Sequence, residues 1–284
     1  AGGARGPMSM MRLSEAARAI PARLLGEDRV FESVSTDTRT LAPRTLFVAL
    51  KGERFDGHDF LGEAAARRAA GALVQEPPPQ SGDAAESLPM LVVEDPRLAL
   101  GALSAYWRRK FSMPLIALTG SNGKTTVKEM LASILRAAVA ESGIRDPESR
   151  VLATRGNLNN DIGVPLTLLE LRPNHRYAVV EMGMNHAGEI RYLTRLAAPD
   201  VALINNAGPA HLEFFGSVEG IARAKGEIFE GLPPGGTAVI NADDRYAGLW
   251  RNLAGDRRIV EFGLSSPAPG SARYGRRYLG SGIV

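Results

Sequence analysis

The 284-residue chain contains no cysteine, which excludes disulfides, a thiolate nucleophile and any cysteine-ligated metal. No apolar run approaches the ~20 residues that a membrane-spanning helix requires. The opening AGGARGPMSMMRL lacks the apolar centre of a signal peptide, so no membrane insertion and a cytoplasmic location are expected. Aromatic residues are sparse at 6%, and the basic residues are scattered. The basic stripe with interleaved aromatics that marks a nucleic-acid face is missing despite a net charge of +3. Arg108-Arg109-Lys110 and Arg276-Arg277 read as solvated faces, and no nucleic-acid partner is expected. Lysine is scarce as well: Lys51, Lys110, Lys124, Lys128 and Lys225 stand against 29 arginines. Coding composition explains such a bias, yet each surviving lysine raises the question of why arginine would not serve there.

What is present is ordinary globular material, 44% hydrophobic and 23% charged, in a length that suits two domains. Residues 1–11 are rich in Gly and Met without an apolar pattern and read as a disordered leader. A first α/β domain is expected over 12–112, with strands at Thr45–Leu50, Gly71–Gln75 and Leu91–Glu94. Helices are expected over Asp59–Ala70 and from Asp95-Pro96, an N-cap followed by proline at the first helical position. The run 76–86, EPPPQSGDAAE, is a loop by its Pro, Gly and Ser content. Ser112-Met113-Pro114 marks the boundary to a second domain over 113–264, with an irregular tail over 265–284.

In the second domain, short apolar runs at Leu115–Thr119, Val151–Ala153, Tyr177–Met182, Val201–Asn205, Thr237–Asn241 and Arg258–Phe262 alternate with helical stretches such as Gly188–Ala197, Ser217–Glu230 and Asp244–Leu253. Alternation with almost wholly apolar strands predicts a parallel sheet covered on both faces. Ligands bind such sheets beyond the carboxyl ends of the strands. Lys124, Glu181, Asn206, His211 and Asn241 all fall there.

LIALTGSNGKTT, Leu115 to Thr126, is an apolar run followed by a glycine-rich turn and then by the helix-like VKEMLASILRAA. This is the setting of a phosphate-binding loop. Gly120 and Gly123 let backbone N–H groups turn inward, the next helix adds its positive end, Lys124 reaches terminal phosphates, and the Thr125 hydroxyl suits Mg²⁺. Leu118 stands where the strict motif has its first glycine. A plain tight turn is the competing reading. Glu181, ending an apolar strand, could hold the Mg²⁺ of a nucleotide or merely cap the next helix. His186 is as good a cap as a ligand. His211 follows a Gly-Pro turn in a carboxyl-end loop, where it could serve a metal or phosphate. Lys225 reads either as functional or as an exposed helical lysine, and Asn241 either as a reader of a base edge or as a turn residue. In the first domain, Ser35, Thr36, Arg39, Lys51, Asp56, Gly57 and His58 form a polar cluster able to grip a second phosphorylated ligand, although Asp-Gly alone is a turn signal.

Taken in order, STDTR, KGERFDGHDF, TGSNGKTTVKEM, TRGNLNNDIGVPLTLLEL, EMGMNHAGEI, NNAGPAHLEFFGSVEGIARAKGEIFEGL and INADD resemble the Mur ligase family over about Ser33 to Phe262. The leucine in place of the first glycine matches that family's own loop. The resemblance implies an α/β fold with a small N-terminal domain that binds a UDP-sugar and a central parallel-sheet ATPase domain. It favours the member that uses ATP to join D-alanyl-D-alanine to UDP-N-acetylmuramoyl-tripeptide through an acyl phosphate, in peptidoglycan precursor synthesis. Gly120, Ser121, Asn122, Gly123, Lys124, Thr125 and Thr126 would hold ATP, with Asn241 on the adenine side. Thr125, Glu181, His211 and Lys225 would serve Mg²⁺, the last as a carbamylated lysine. Lys124, Lys225 and His211 would carry catalysis. Ser35, Thr36, Arg39, Lys51, Asp56, Gly57 and His58 would hold the UDP-sugar, with Asn159 and Asn160 nearby. The family's C-terminal Rossmann-like domain has no counterpart, so a C-terminally truncated monomer is expected. The alternatives are a nucleotide-binding remnant without catalysis, another Mur-family or folylpolyglutamate-type ligase, or a kinase.

Overall fold

The computed structural model describes residues 9–53, 55–77, 88–144, 146–210 and 212–264. These fall into two compact units, within 1–107 and 108–284. The expected leader over 1–8, the loop from 78 onward and the tail over 265–284 lie outside the described residues.

The first unit runs β1 (Met11–Arg12), α1 (Leu13–Ala19), β2 (Arg23–Leu25), β3 (Val30–Phe31), β4 (Ser33–Ser35), β5 (Thr45–Val48), α2 (Leu61–Ala66), β6 (Gly71–Val74), β7 (Met90–Val92) and α3 (Pro96–Arg108). Its main sheet has the order β2-β7-β6-β5-β4, parallel except where β2 meets β7. The strands β5 and β6 are buried throughout and apolar except for Thr45, and Leu46, Leu73 and Leu91 are fully buried. At the start of α3, the Asp95 carboxylate accepts from the N–H groups of Arg97 and Leu98, as its sequence predicts. The end of the supposed leader is not free chain. Met10 and Met11 are buried, and Met11 pairs with Phe31 across the β1–β3 ribbon.

The second unit runs β8 (Leu115–Thr119), α4 (Lys124–Glu141), β9 (Val151–Ala153), α5 (Gly163–Leu169), β10 (Tyr177–Glu181), α6 (Glu189–Ala197), β11 (Val201–Ile204), α7 (Leu212–Phe215), α8 (Val218–Gly226), β12 (Thr237–Asn241), α9 (Ala247–Ala254) and β13 (Arg258–Phe262). All six strands are parallel, in the order β13-β12-β11-β8-β10-β9. On one face Leu118, Val179 and Leu203 meet Val127, Leu131 and Leu135 of α4. The alternate residues Ala117, Ala178, Val180, Ala202 and Ile204 are equally inaccessible, so both faces are covered. β8 sits between β10 and β11, with the chain having crossed in both directions from it. That is the switch point where open parallel sheets bind ligands.

Several local readings change. α5 is a helix not expected from the sequence, and it accommodates Gly163 and Pro165 because a proline in the first turn forfeits no intrahelical bond. The stretch 217–230 is split, since α8 gives way to a tighter 3₁₀ turn at Glu227–Gly231. Gly57–Phe60 is likewise a 3₁₀ turn, and α2 stops at Ala66. β1 to β4 span two or three residues each, too short for any readable period.

Candidate functional site

The loop Gly120–Gly123 leaves β8 and enters α4 through Gly123, whose φ of 72° is the left-handed value that glycine adopts without cost. Its shape is set from β11. Asn205 and Asn206 follow that strand, and the Asn206 side-chain oxygen accepts from the N–H groups of Ser121 and Asn122 at 3.1 and 2.9 Å. The side-chain amides of Asn205 and Asn206 both donate to the Asn122 carbonyl, and the Ser121 hydroxyl exchanges hydrogen bonds with Gly208. Lys124 folds back over the loop and donates to the Gly120 carbonyl at 2.9 Å. Thr126 is exposed. Asn241, expected to face a base, has both ends of its amide engaged. It donates to the Asn205 carbonyl and accepts from the Asp243 N–H.

Glu181 ends β10 and is buried, with 1% of its surface exposed. It does not cap the following helix. Its carboxylate accepts from the Thr125 hydroxyl at 3.1 Å and from the Asn159 amide at 2.8 Å, and its N–H donates to the Thr154 hydroxyl at 2.9 Å. Asn159, expected with the sugar-binding residues, thus belongs to this cluster in the second unit. Asn160 caps the start of α5, accepting from the Gly163 N–H at 2.8 Å. His186 is largely exposed, pairs with Glu189 and stacks edge-on with Phe214. His211 lies outside the described residues.

Lys225 lies in the last turn of α8 and is 4% exposed, which removes the exposed-lysine reading. Among the described residues it has no hydrogen-bond or ion-pair partner. Burial, reinforced by the positive charge of Lys124, lowers its pKa to about 7. Thr125 and Glu181 present hard oxygen donors, and no group of three or more His, Cys, Asp or Glu occurs among the described residues. A sparse oxygen set fits Mg²⁺, which keeps its waters and takes the rest of its ligands from phosphate.

The first unit gathers its cluster at the carboxyl ends of β4, β5 and β6. The Asp56 carboxylate accepts from both the N–H and Nδ1 of His58, at 3.0 and 2.6 Å, and lies 3.5 Å from the Lys51 ammonium. Those His58 hydrogen bonds hold Asp56 down at about 2. The other ring nitrogen of His58 accepts from the Gln75 N–H, so the neutral ring carries its proton on Nδ1. The Gly57 N–H donates to the Leu50 carbonyl, fixing the turn. Ser35 bonds to the Asp37 backbone, and Arg39 pairs with the Asp37 carboxylate.

Sequence reading passed over Asn205 and Thr154, and it left Asn206 without a task. Their only signal is a polar residue directly after an apolar strand.

A β8–loop–α4 phosphate grip with a strand-end acid beside it is common to many nucleotide-binding proteins, so comparisons discriminate further. The Mur ligase middle domain matches residues 118–278, and the Mur ligase family catalytic domain matches residues 30–108. The UDP-N-acetylmuramoyl-tripeptide--D-alanyl-D-alanine ligase of Escherichia coli K12 is 48% identical over 255 residues, covering 90% of this chain and 53% of the relative. The crystal structure of MurF from Acinetobacter baumannii is 41% identical with a TM-score of 0.80, covering 90% of this chain and 54% of that one. MurF ligase from Thermotoga maritima, solved in complex with ADP, is 32% identical with a TM-score of 0.69, covering 82% and 51%. The chain spans about half the length of the curated relatives it matches. With one domain model over most of the first unit and another over more than half of the sequence, including Lys124, Glu181 and Lys225, the chain belongs to the Mur ligase family.

Proposed function

We propose that the chain carries the ATP site and the UDP-sugar site of a ligase that joins D-alanyl-D-alanine to UDP-N-acetylmuramoyl-tripeptide. The second unit, from about residue 113, takes ATP, and the first, from about residue 12, takes the uridine nucleotide through Ser35, Thr36, Arg39, Lys51, Asp56, Gly57 and His58. A terminal carboxylate oxygen of the tripeptide attacks the γ-phosphorus, and the bond to the ADP oxygen breaks. The amine of the dipeptide then attacks the acyl carbon, loses a proton and displaces phosphate. Such transfer is mostly positioning and charge neutralisation. The loop N–H groups and Lys124 meet charge on the transferring phosphoryl group. Mg²⁺, held by the Thr125 and Glu181 oxygens, would supply the counter-charge to the phosphates.

The observation that carries the ligase reading over a kinase is Lys225, a buried amine with no partner among the described residues, within electrostatic reach of Lys124. Phosphoryl transfer to a hydroxyl does not call for it. As a neutral amine it attacks CO₂, forms an N–C bond and releases a proton, giving an anionic carbamate that supplies the second oxygen ligand set the cluster lacks. The test is a single-turnover mixture of this chain with MgATP, the UDP-linked tripeptide and D-alanyl-D-alanine. ADP should form only when the tripeptide is present, and the dipeptide should appear joined to it. Phosphate on a stable acceptor would favour a kinase, and bound nucleotide without turnover would favour a non-catalytic nucleotide-binding protein.

A further inference from the structure

Lys128, one of the five lysines, takes no part in the reaction outlined above, yet it is completely buried at 0% exposure. It lies in α4 one turn beyond Lys124. Its ammonium donates to the Thr154 carbonyl at 2.7 Å and pairs with the Glu129 carboxylate at 3.0 Å. Thr154 directly follows β9 and is held by its own N–H to the Val179 carbonyl. Its hydroxyl receives the Glu181 N–H. From Thr154 the chain runs into the loop that brings Asn159 to the Glu181 carboxylate.

A docking role does not account for a buried charge here. Val127, Leu131, Leu135, Ala132 and Val139 already seat α4 on the sheet through apolar contacts. Buried ion pairs replaced as a whole by well-packed apolar side chains are often as stable or more so, so packing alone does not call for a buried ammonium. What the ammonium supplies, and an apolar chain cannot, is a fixed direction for the Thr154 peptide. The Thr154 hydroxyl and the departing loop are thereby aimed at Glu181. Arginine, with a planar fork too bulky for one carbonyl in a closed site, would not substitute.

We propose that Lys128 is a positioning residue that sets, through Thr154, the orientation of Glu181 and hence the grip on a Mg²⁺–nucleotide. The inference rests on the nucleotide reading above. Outer partners of metal-binding groups typically change affinity by ~10- to 100-fold when removed. The test titrates ADP into the whole chain with and without Mg²⁺, for Lys128→Met, Thr154→Val and Thr154→Ser, with melting curves for each. Lys128→Met and Thr154→Val should lose ~10-fold or more of the Mg²⁺-dependent gain in ADP affinity. Their Mg²⁺-free affinity, set by the loop and Lys124, should be unchanged, and Thr154→Ser should keep the full gain. An unchanged gain in both altered proteins overturns the proposal. So does a loss of affinity that is equal with and without Mg²⁺ and tracks a falling Tm, which is the mark of a merely structural lysine. If Lys128→Met does not fold, Lys128→Arg, which keeps the charge but not the fit to one carbonyl, decides by the same loss of the Mg²⁺-dependent gain, and a full gain in it overturns the proposal. Wild-type chain that binds no ADP removes the nucleotide reading and this inference with it, whereas Mg²⁺-dependent binding indifferent to all three changes removes the inference alone.

Discussion

Lys225 offers the sharpest test, because its burial makes two quantitative demands. An ordinary lysine with a pKa near 10.5 is neutral in only ~0.3% of molecules at pH 8, whereas a pKa of about 7 leaves ~90% neutral. The pool of amine able to attack CO₂ is thus larger by a factor of ~300. The same shift has a stability signature. Between about 7 and 10.5 the unfolded chain holds a proton that the folded chain has released, so stability rises with pH across that window and is flat below it. With ¹³C-bicarbonate at pH 8, wild-type protein should show a carbamate carbon by NMR, and Lys225→Met should not. In bicarbonate-free buffer, melting curves from pH 7 to 10 should rise for the wild type relative to Lys225→Met. A carbamate signal of equal size in both proteins, or none in the wild type, would refute the role. Parallel melting profiles would show that the amine is not depressed at all.

Three further perturbations address the loop, the acid and the core. Asn206→Ala removes the acceptor of the Asn122 N–H, while the Ser121 N–H keeps the Asn206 backbone carbonyl, and should weaken ADP binding about tenfold, equivalent to ~1.4 kcal/mol, with little change in Tm; unchanged affinity would mean the loop shapes itself. Gly183→Ala places a Cβ 2.8 Å from the Asn159 side-chain oxygen. It should push that amide off Glu181 and weaken ADP binding more in Mg²⁺ than without it, and equal effects in both buffers would count against the Asn159–Glu181 link. Trp250 is fully buried and its indole N–H donates to the Ala222 carbonyl at 2.9 Å. Trp250→Ala should cost ~3–5 kcal/mol in urea unfolding, and a loss below ~1 kcal/mol would show that the α8–α9 packing collapses around the gap.

Wherever one stretch of chain suffices to define a feature, it was legible. Apolar runs such as LIALT and YAVVE have no polar face to show water, so they read as strands of a doubly covered sheet, and they are such strands. The glycines and Lys124-Thr125 of the loop act over a few residues, and the order of the quoted motifs carried the family. Short β1 to β4 and α5 escaped, because two or three residues have no period and proline in a first turn mimics a stop.

The site itself was decided in three dimensions. Thr125 and Glu181 are 56 residues apart, Lys128 and Thr154 are 26 apart, and Asn159 and Glu181 are 22 apart. Only the order β11-β8-β10-β9 brings these strand ends together, and nothing local in the chain encodes which parallel strands become neighbours. Burial has the same origin. The sequence leaves Lys225 and Lys128 as two helical lysines among many polar residues. Packing removes both from water, leaves one with no partner among the described residues and ties the other to a carbonyl, and it thereby turns ordinary ammonium groups into a candidate for chemistry and a candidate for alignment.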